Sequence, residues 1–343
     1  MKLLKGLHMN FKVTRFVLLS ITMSYLLFIN VDYSSAARKP RQVMFYSASA
    51  RLAWFPGVTF IGDYVALHNG YWESGGLDVK LNPGGFEYDA IKLVASGGDT
   101  FGVSSGPQII QARANGVPVV AIGSVIPRSP IGWISKKGSG IRTLRDFSGK
   151  KVGAQYGTHS EIALEALCEK LDIDMRSFTR IPIKFDPRPF IVGEIDVMPV
   201  NIIDLPIDLR YQGIEINIID PGDYGVSLSF GGVYFTTEDT IIRNRALVRG
   251  FIDAAKQGWM WAYNNPNESI DILSEYAPYG NTKVFHEKLN ATFAFIMKGK
   301  KDYLGVFPMD YKDWKSTQTI MLKHGNLSKP IDLDNSYTNA FLR

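Results

Sequence analysis

Hydrophobic positions along the chain fall into two kinds of segment. Short apolar runs rich in β-branched residues are typical of buried strands, and longer segments with apolar residues at helical spacing are typical of helices. In the first part of the chain this pattern predicts strands at 42–46, 77–81, 100–103 and 117–125, and helices at 59–69, 88–95 and 107–114. Alternation of this kind indicates an α/β fold, in which helical crossovers join parallel strands.

A second α/β unit begins after Ser129, and helices dominate beyond Gly231. The second unit has predicted strands at 151–154, 179–183, 196–199 and 214–219 and a predicted helix at 160–170. A further strand at 233–236 precedes predicted helices at 245–264, 267–277, 282–292 and 311–323.

These two boundaries predict two α/β lobes joined by a double-crossing hinge. We expect lobe 1 to comprise residues 38–128 and 232–343, and lobe 2 to comprise residues 129–231. In open α/β sheets, ligands bind outside the carboxyl ends of the strands. Two lobes that face each other would therefore place these loops on both walls of one cleft.

The N-terminal residues have the pattern of an export signal. Four basic residues precede an apolar run at 16–31, and small residues follow it. This is typical of a secretory signal peptide, and the run is shorter than the roughly 20 residues that a membrane-spanning helix needs. The sequence predicts cleavage after Ala36 or Ala37, whether the chain starts at Met1 or at Met9.

We therefore expect residues 1–37 to be removed and the mature protein to be periplasmic. The one cysteine, Cys168, lies far from the predicted cleavage site, so the mature protein is not expected to be a lipoprotein. The residues around Cys168 have a helical pattern, which predicts that the thiol packs in the core.

The charge of the mature protein gives no sign of a polyanionic partner. The chain has 38 Lys and Arg and 33 Asp and Glu, a formal net charge of +5. Four of the basic residues and one of the acidic residues lie in 1–37, which leaves +2 for the mature protein. So small a charge gives no reason to expect nucleic acid or an anionic membrane surface as a partner.

The loop after the third predicted strand carries hydroxyl and amide side chains. Ser104, Ser105 and Gln108 lie where this strand meets a helix that opens with Pro107. Free backbone N–H groups at such a helix start bind carboxylate, phosphate or sulfonate oxygens. The alternative is that Ser105 only caps the helix.

The loop after the strand at 151–154 has a matching arrangement. Tyr156, Gly157, Thr158 and His159 lead from this strand into a helix. Tyr156 offers a stacking surface and His159 a hydrogen-bond donor, and the alternative is that Thr158 or Ser160 only caps the helix.

An aromatic residue follows the first predicted strand. Trp54 lies in a loop, which is an unusual place for core packing because loops run over the surface. It either forms a wall of a pocket or covers the end of the sheet.

The sequence lacks the standard motifs of catalysis and of metal binding. The five histidines show no spacing suited to zinc, and there is no Gly-x-Ser-x-Gly nucleophile motif. The glycine-rich segments lack glycines that dinucleotide and phosphate loops require. The sequence therefore predicts a protein that is not an enzyme and that uses neither a metal nor a cofactor.

Several short motifs follow one another in a specific order. They are Trp54 with Pro56, Gly70-Tyr71-Trp72, Gly76-Leu77-Asp78-Val79, Phe101-Gly102-Val103, Gly116-Val117-Pro118, Asp146-Phe147, Gly149-Lys150-Lys151-Val152-Gly153, Gly193-Glu194-Ile195-Asp196-Val197 and Gly258-Trp259. Together they resemble the periplasmic substrate-binding proteins of ABC importers, in the family that binds nitrate, sulfonates, taurine and thiamine pyrimidines. The resemblance spans nearly the whole mature chain.

This resemblance implies a type II periplasmic-binding-protein fold that closes on its ligand by hinge motion. It places the three loops described above in the cleft and adds Asn201 and Asp204, although the aromatic residue of many relatives is missing there. It implies a monomer that captures a small molecule and hands it to a membrane permease. The aromatic side chains favour a heterocyclic ligand, whereas the hydroxyl groups favour an anion such as a sulfonate.

Two other functions share this fold. The synthases of the thiamine pyrimidine precursor resemble this chain in overall pattern, and their chemistry uses a lysine that holds a pyridoxal cofactor and a histidine that is consumed. Ser104 and Gln108 take those two places here, and the cysteine-rich iron segment is absent. A ligand-sensing adaptor is the other alternative.

Overall fold

The computed structural model describes residues 46–85, 87–226 and 228–342. The predicted signal peptide at 1–37 and its cleavage site lie outside these residues. Among the described residues, no helix combines the length and the apolar character needed to cross a membrane.

Ten strands lie in the described part of the chain. They are β1 (Tyr46–Arg51), β2 (Leu77–Asn82), β3 (Phe101–Ser104), β4 (Val119–Arg128), β5 (Ile131–Lys136), β6 (Lys151–Ala154), β7 (Thr179–Pro182), β8 (Val197–Asn201), β9 (Ile216–Ile219) and β10 (Ser229–Thr237).

Twelve α-helices lie in the same described ranges. They are α1 (Ile61–His68), α2 (Tyr71–Ser74), α3 (Ala90–Ala95), α4 (Gly106–Ala114), α5 (His159–Lys170), α6 (Arg188–Val192), α7 (Leu205–Tyr211), α8 (Glu238–Arg243), α9 (Arg245–Asn264), α10 (Pro266–Tyr276), α11 (Thr282–Met297) and α12 (Tyr311–Lys323). Single 3₁₀ turns occur at Val58–Phe60, Lys137–Ser139, Leu144–Phe147, Met175–Ser177 and Pro221–Tyr224.

The strands form two five-stranded sheets that share one topology. The first has the order β2-β1-β3-β10-β4 and the second the order β7-β6-β8-β5-β9. In each sheet three neighbouring strands are parallel, and one antiparallel strand, β10 or β5, lies between the third and the edge strand. The chain therefore crosses between the sheets twice, from β4 to β5 and from β9 to β10.

The predicted α/β fold is confirmed, since the described chain contains two mixed α/β sheets flanked by helices. The first sheet takes its strands from 46–128 and 229–237, and the second takes its strands from 131–219. The residue limits of the two lobes stay a prediction.

Most predicted elements are present with ends shifted by a few residues, and β1 differs more. The predicted strand at 42–46 lies almost wholly outside the described residues, and the described strand continues to Arg51. Its residues Ser47, Ala48, Ser49 and Ala50 are small and weakly apolar, so they give little strand signal. Their partners determine the conformation, because β1 pairs with β2 along its full length.

The apolar pattern does not predict β5. Pro130 and Gly132 suggest a turn there, yet Trp133 and Ile134 are fully buried because β5 lies between β8 and β9. A Cβ atom at Gly132 would lie 2.6 Å from the carbonyl oxygen of Ile219, so glycine permits this close pairing. The short helices α6, α7 and α8 were not predicted either.

A close helix contact positions the first helix against the core. A Cβ atom at Gly258 in α9 would lie 2.1 Å from the carbonyl oxygen of Gly62 in α1, and a Cβ atom at Gly62 would lie 2.2 Å from the Trp259 ring. Larger residues at these positions would push the helices apart. This contact fixes α1, which follows the loop that carries Trp54.

A buried polar network lies between α1 and β10. Tyr234 donates a hydrogen bond of 2.5 Å to Oδ1 of Asp63 and accepts one of 2.9 Å from the Trp259 indole nitrogen. The second carboxylate oxygen of Asp63 has no hydrogen-bond partner. Burial raises the pKa of Asp63 to about 7, which outweighs the opposite effect of the Tyr234 hydrogen bond.

Candidate ligand-binding site

The carboxyl ends of the two sheets face each other. Trp54 follows β1 of the first sheet and Phe185 follows β7 of the second, and their ring centroids are 5.4 Å apart with planes at 61°. This is an edge-to-face contact between aromatic rings. The loop after β1 therefore contacts the loop after β7.

The two crossings lie at the opposite side of the sheets from this contact. Strands β4 and β9 are edge strands on the crossing side, whereas β2 and β7 are the edge strands on the other side. The contact between Trp54 and Phe185 lies near β2 and β7. It therefore lies on the side of the sheets remote from the two crossings.

An arginine ties the two crossing segments together. Arg128 ends β4, and its guanidinium makes two hydrogen bonds of 3.1 and 3.0 Å to the Asp220 carboxylate at the end of β9. The same group lies 3.5 Å from the centre of the Phe295 ring. Nearby, Phe230 takes a φ of 62° at the start of β10, a conformation that is strained for an aromatic residue.

Two glycines fit the Trp54 loop against its neighbour. A Cβ atom at Gly84 would lie 2.3 Å from the carbonyl oxygen of Leu52, and one at Gly85 would lie 3.0 Å from the Phe55 ring. The Gly84 amide donates a hydrogen bond of 2.9 Å to the Trp54 carbonyl oxygen. The loop after β1 is thus held tightly and presents Trp54, which is partly exposed.

The loop after β3 uses its serines for a purpose other than capping. Ser105 is the N-cap residue of α4, but its side chain makes no capping hydrogen bond. Instead Ser104 and Ser105, both buried, donate hydrogen bonds of 3.0 Å each to Oε1 of Gln108. The Gln108 side chain is exposed, so its amide nitrogen is available to donate a hydrogen bond to a ligand or to water. We call the Trp54 loop and these three residues the first wall.

The loop after β6 forms a small hydrogen-bonded turn. Gly157 has a φ of 74°, and its amide donates a hydrogen bond of 2.8 Å to Glu161. Thr158 is the N-cap of α5, makes no capping bond, and donates to the Gln155 carbonyl oxygen at 2.7 Å. Its hydroxyl oxygen also lies 2.7 Å from that of Ser160.

Two aromatic side chains of this turn differ in exposure. Tyr156 is 52% exposed, and the Arg180 guanidinium lies 5.6 Å from the centre of its ring. His159 is only partly exposed, and loss of hydration lowers its pKa to about 4. The imidazole is therefore neutral at pH 7.

Gln155 precedes this turn and was missed by the sequence analysis. Its side chain is 9% exposed, and its oxygen Oε1 accepts a hydrogen bond of 3.4 Å from Ser160. Its amide nitrogen is buried without a hydrogen-bond partner. We call residues 155–160 and Phe185 the second wall.

The last two predicted residues lie after β8. Asn201 accepts a hydrogen bond of 3.1 Å from the Ile203 amide and so stabilises the turn. Asp204 pairs at 2.5 Å with Lys288 of α11, which also pairs at 2.8 Å with Asp208. Burial alone would lower the pKa of Lys288, but the two carboxylates raise it.

These ion pairs join elements of the two sheets. Asp204 and Asp208 belong to the segment after β8, whereas α11 packs in the core of the first sheet through residues such as Leu289 and Phe293. Ile203 is buried in this same core. The Asp204 carboxylate is thus engaged within the protein, and its predicted contact with a ligand stays a prediction.

A cavity of about 440 Å³ lies away from both walls. It is lined by Ala66, Leu67, Gly70, Trp72, Glu73, Leu77, Asp78 and Val79. These residues surround the amino end of β2, at the opposite edge of the sheet from Trp54. Elsewhere in the described ranges, no three His, Cys, Asp or Glu side chains are grouped so that they could hold a metal ion.

Comparison with known proteins assigns the chain to a family. Residues 58–269 match the sequence profile of the family described as NMT1/THI5 like. The chain belongs to the NMT1/THI5-like family. The resemblance inferred from the short motifs is therefore confirmed.

Known proteins that resemble this chain include binding proteins and synthases. The riboflavin-binding protein RibY of Chloroflexus aurantiacus is 27% identical over 302 residues, 85% of this chain and 84% of that protein. The formylaminopyrimidine-binding protein of Halalkalibacterium halodurans is 26% identical over 297 residues, 84% of this chain and 88% of that protein. The 4-amino-5-hydroxymethyl-2-methylpyrimidine phosphate synthase of Schizosaccharomyces pombe is 31% identical over 290 residues, 81% of each chain.

Solved structures confirm the fold. The periplasmic aliphatic sulphonate binding protein SsuA from Escherichia coli has a TM-score of 0.69 at 14% identity, covering 84% of this chain and 91% of that chain. The alkanesulfonate-binding protein SsuA from Xanthomonas axonopodis pv. citri, bound to MOPS, has a TM-score of 0.65 at 15% identity, covering 83% and 94%. The predicted periplasmic-binding-protein fold is thus confirmed.

Proposed function

We propose that this protein is the extracytoplasmic solute-binding component of an ABC importer and that it holds a small ring-bearing ligand between its lobes. The observation that carries the proposal is the contact of Trp54 with Phe185 at 5.4 Å, because it supports a cleft to whose mouth each lobe contributes an aromatic side chain. Concave sites with aromatic walls and a few polar groups are typical of small-molecule binding.

Hinge motion about the two crossings would open and close this cleft. Opening separates Trp54 from Phe185 and Asp204 from Lys288, while the Arg128–Asp220 pair stays at the hinge. A ligand that contacts both lobes favours the closed form by the difference between its affinities for the two forms. A transporter can then distinguish the loaded protein by the shape of its closed surface.

The aromatic side chains at the cleft suit a planar ring. Trp54 and Tyr156 flank the ligand in this proposal, and Phe185 covers it at the mouth. Aromatic pairs prefer offset-stacked or edge-to-face geometries, so a flat heterocycle can replace the present edge-to-face contact without loss of ring contacts. The similarity to riboflavin-binding and formylaminopyrimidine-binding proteins supports a heterocyclic ligand, and the fold of the sulphonate-binding proteins keeps a sulfonate among the ligands to test.

The similarity to synthases supports a second candidate function, the synthesis of a thiamine pyrimidine precursor. The resemblance to synthases calls for a lysine and a histidine where this chain has Ser104 and Gln108. Both serines of the first wall instead hold the Gln108 amide at 3.0 Å. Neither side chain can form an imine with a pyridoxal cofactor, and this favours binding without catalysis. An imine absorption band after addition of pyridoxal phosphate would support the synthase instead.

The proposal includes export to the periplasm as a soluble monomer. The apolar run at 16–31 with its basic flank supports a cleaved signal peptide, and Cys168, 1% exposed in the core, is no site for a lipid. Expression of the full chain in a Gram-negative host should yield a shortened protein in the periplasmic fraction, and an N-terminus at Ala37 or Arg38 is the expected result. Retention of residues 1–37 would contradict it.

Thermal unfolding against a panel of ligands tests the proposed function. The panel contains riboflavin, formylaminopyrimidine, hydroxymethylpyrimidine, taurine and MOPS. A ligand at a hundredfold its dissociation constant adds about 2.7 kcal/mol to the free energy of unfolding, which raises the melting temperature measurably. A rise with one chemical class supports the proposal and names the class, whereas no rise with any of them contradicts it.

A further inference from the structure

Each wall of the cleft presents one carboxamide in the same manner. In the first wall, Ser104 and Ser105 occupy the oxygen of the Gln108 amide at 3.0 Å. In the second wall, Ser160 occupies the oxygen of the Gln155 amide at 3.4 Å. In both cases the amide nitrogen is the end without a protein partner.

Of the two amide nitrogens, that of Gln155 gives the stronger indication of a ligand. It is buried, it has no hydrogen-bond partner, and the whole side chain is 9% exposed. A buried donor without an acceptor destabilises a folded protein, so such groups are rare unless something else supplies the acceptor. Serine already holds the other end of the amide, which leaves the nitrogen for a ligand.

Both amides lie at the edges of the sheets that face each other. Gln155 directly follows β6, and Gln108 lies in the first turn of α4, which follows β3. Strand β1, which leads to Trp54, lies between β2 and β3, and β6 is its counterpart next to β7. The contact between Trp54 and Phe185 brings these two edges together, and the unpaired nitrogen of Gln155 is buried at the second of them.

Two arginines beside the walls are already paired within the protein. Arg51, at the end of β1, donates to Asp99 at 2.8 Å, and Arg180, beside Tyr156, pairs with Glu161 at 3.4 Å. His159 adds no charge, since burial lowers its pKa to about 4. Lys184 is exposed next to Phe185 at the mouth, so an anion that moved past it would lose hydration without an unpaired arginine to bind, which is unfavourable.

We propose that the amide nitrogens of Gln108 and Gln155, one from each lobe, donate hydrogen bonds to two acceptor atoms of an uncharged heterocycle and so select it over sulfonates. Ring carbonyl oxygens or unprotonated ring nitrogens supply such acceptors. The inference rests on the proposed function and narrows it, because it decides between the two ligand classes that the aromatic and hydroxyl side chains suggest.

Substitution of the two glutamines by glutamate tests this inference. Gln108→Glu and Gln155→Glu each replace a donor by a charged acceptor of almost the same shape. Isothermal titration measures the dissociation constants for riboflavin, formylaminopyrimidine and MOPS with each variant and with the unaltered protein. We expect the heterocycle that binds the unaltered protein to bind at least tenfold more weakly to either variant, and MOPS to bind the unaltered protein at least tenfold more weakly than that heterocycle.

Two further variants keep the test decisive. Gln257→Glu makes the same change at an exposed position of α9, and it should leave all dissociation constants unchanged. If a charge at the buried position 155 prevents folding, Gln155→Met removes the donor without adding charge, and about a threefold to tenfold loss of affinity is expected.

The outcomes separate the inference from the proposed function. Heterocycle affinity that is unchanged in the Gln155 variants, or MOPS that binds as tightly as the heterocycle, overturns the inference and leaves solute binding intact. Absence of binding to every probe overturns the proposed function, and the inference falls with it.

Discussion

The two walls of the cleft follow equivalent strands but differ in how their side chains are held. The first wall follows β1 and β3 and presents Trp54 from a loop that Gly84 and Gly85 hold tightly. The second wall follows β6 and β7 and carries Tyr156 and Phe185 beside a turn of hydroxyl and amide groups, with a neutral His159. Shared topology therefore gives both walls aromatic and amide side chains, while close backbone packing holds the indole of the first wall and hydrogen bonds hold the turn of the second.

This difference predicts that the walls fail in different ways. Changes behind the first wall should reduce stability or affinity for any ring, because they affect packing and contact area. Changes to the amide donors of either wall should alter which ligand is preferred, because they remove specific hydrogen bonds. The following substitutions sharpen or break this distinction.

The largest effect is expected for the free energy of unfolding at Asp63. This residue lies in α1, the helix that follows the Trp54 loop of the first wall. Burial raises its pKa from 3.8 to about 7, so the folded protein holds this proton more tightly than the unfolded chain does. Its contribution is fully present below pH 4 and is lost as the pH rises through 7. Since one pKa unit corresponds to about 1.4 kcal/mol, the loss should be about 2 to 4 kcal/mol.

Urea unfolding between pH 4 and pH 8 measures this contribution. In Asp63→Asn the amide does not titrate, so its free energy of unfolding should fall less over this range than that of the unaltered protein. Asp271→Asn, at an exposed position of α10, is the matched control and should follow the unaltered protein. Parallel profiles for all three proteins would show that Asp63 does not titrate in this range.

Trp54→Ala should have the next largest effect. Removal of the indole eliminates the aromatic surface of the first wall and its contact with Phe185, so the dissociation constant of a ring ligand should rise at least tenfold. Isothermal titration checks this result. Tyr279→Ala, which removes a fully exposed aromatic ring, should leave affinity unchanged, and the same null result at Trp54 would remove this residue from the site.

Lys288→Met should weaken binding less, because it affects closure and not the ligand contacts. The variant leaves Asp204 and Asp208 without the cation that joins them to α11. Partly exposed ion pairs contribute about 1 kcal/mol, so affinity should fall about fivefold for every ligand alike. Lys283→Met on the exposed side of the same helix is the control. A selective loss for one ligand class would place Lys288 in the binding site instead.

The smallest effect is expected from His159. Loss of hydration lowers its pKa to about 4, so the ring stays neutral as the pH rises from 5.5 to 8. Affinity for an uncharged ligand should then vary less than about twofold over this range. Titrations at several pH values check this, with His159→Gln as the control. A change in the dissociation constant near pH 6.5 that is absent in His159→Gln would show that His159 titrates there, and it would contradict a neutral ring.

Much of the fold could be predicted from the sequence, because buried strands leave apolar runs. Strand β2 and helix α9 were predicted almost to the residue. Strand β5 could not be predicted, since Pro130 and Gly132 interrupt its pattern and its burial comes from β8 and β9. Its conformation depends on strands distant in sequence, which no local pattern contains.

The candidate site residues stay a prediction. Loop positions after strands indicate Trp54 and His159, since ligands of α/β sheets bind at such loops. Phe185 and Gln155 were missed because their significance lies in a contact with the other lobe and in an unpaired buried nitrogen. A glutamine directly after a strand was the only available signal for Gln155. The partner of Asp204 could not be predicted either, because Lys288 lies far along the chain.

A crystal structure of the protein with its ring-bearing ligand tests the central claim most directly. We predict that the ring lies between the lobes against Trp54, with acceptor atoms within hydrogen-bond distance of the amide nitrogens of Gln108 and Gln155. A ligand bound outside the cleft, for example in the cavity beside Trp72 at the far end of β2, would contradict the claim.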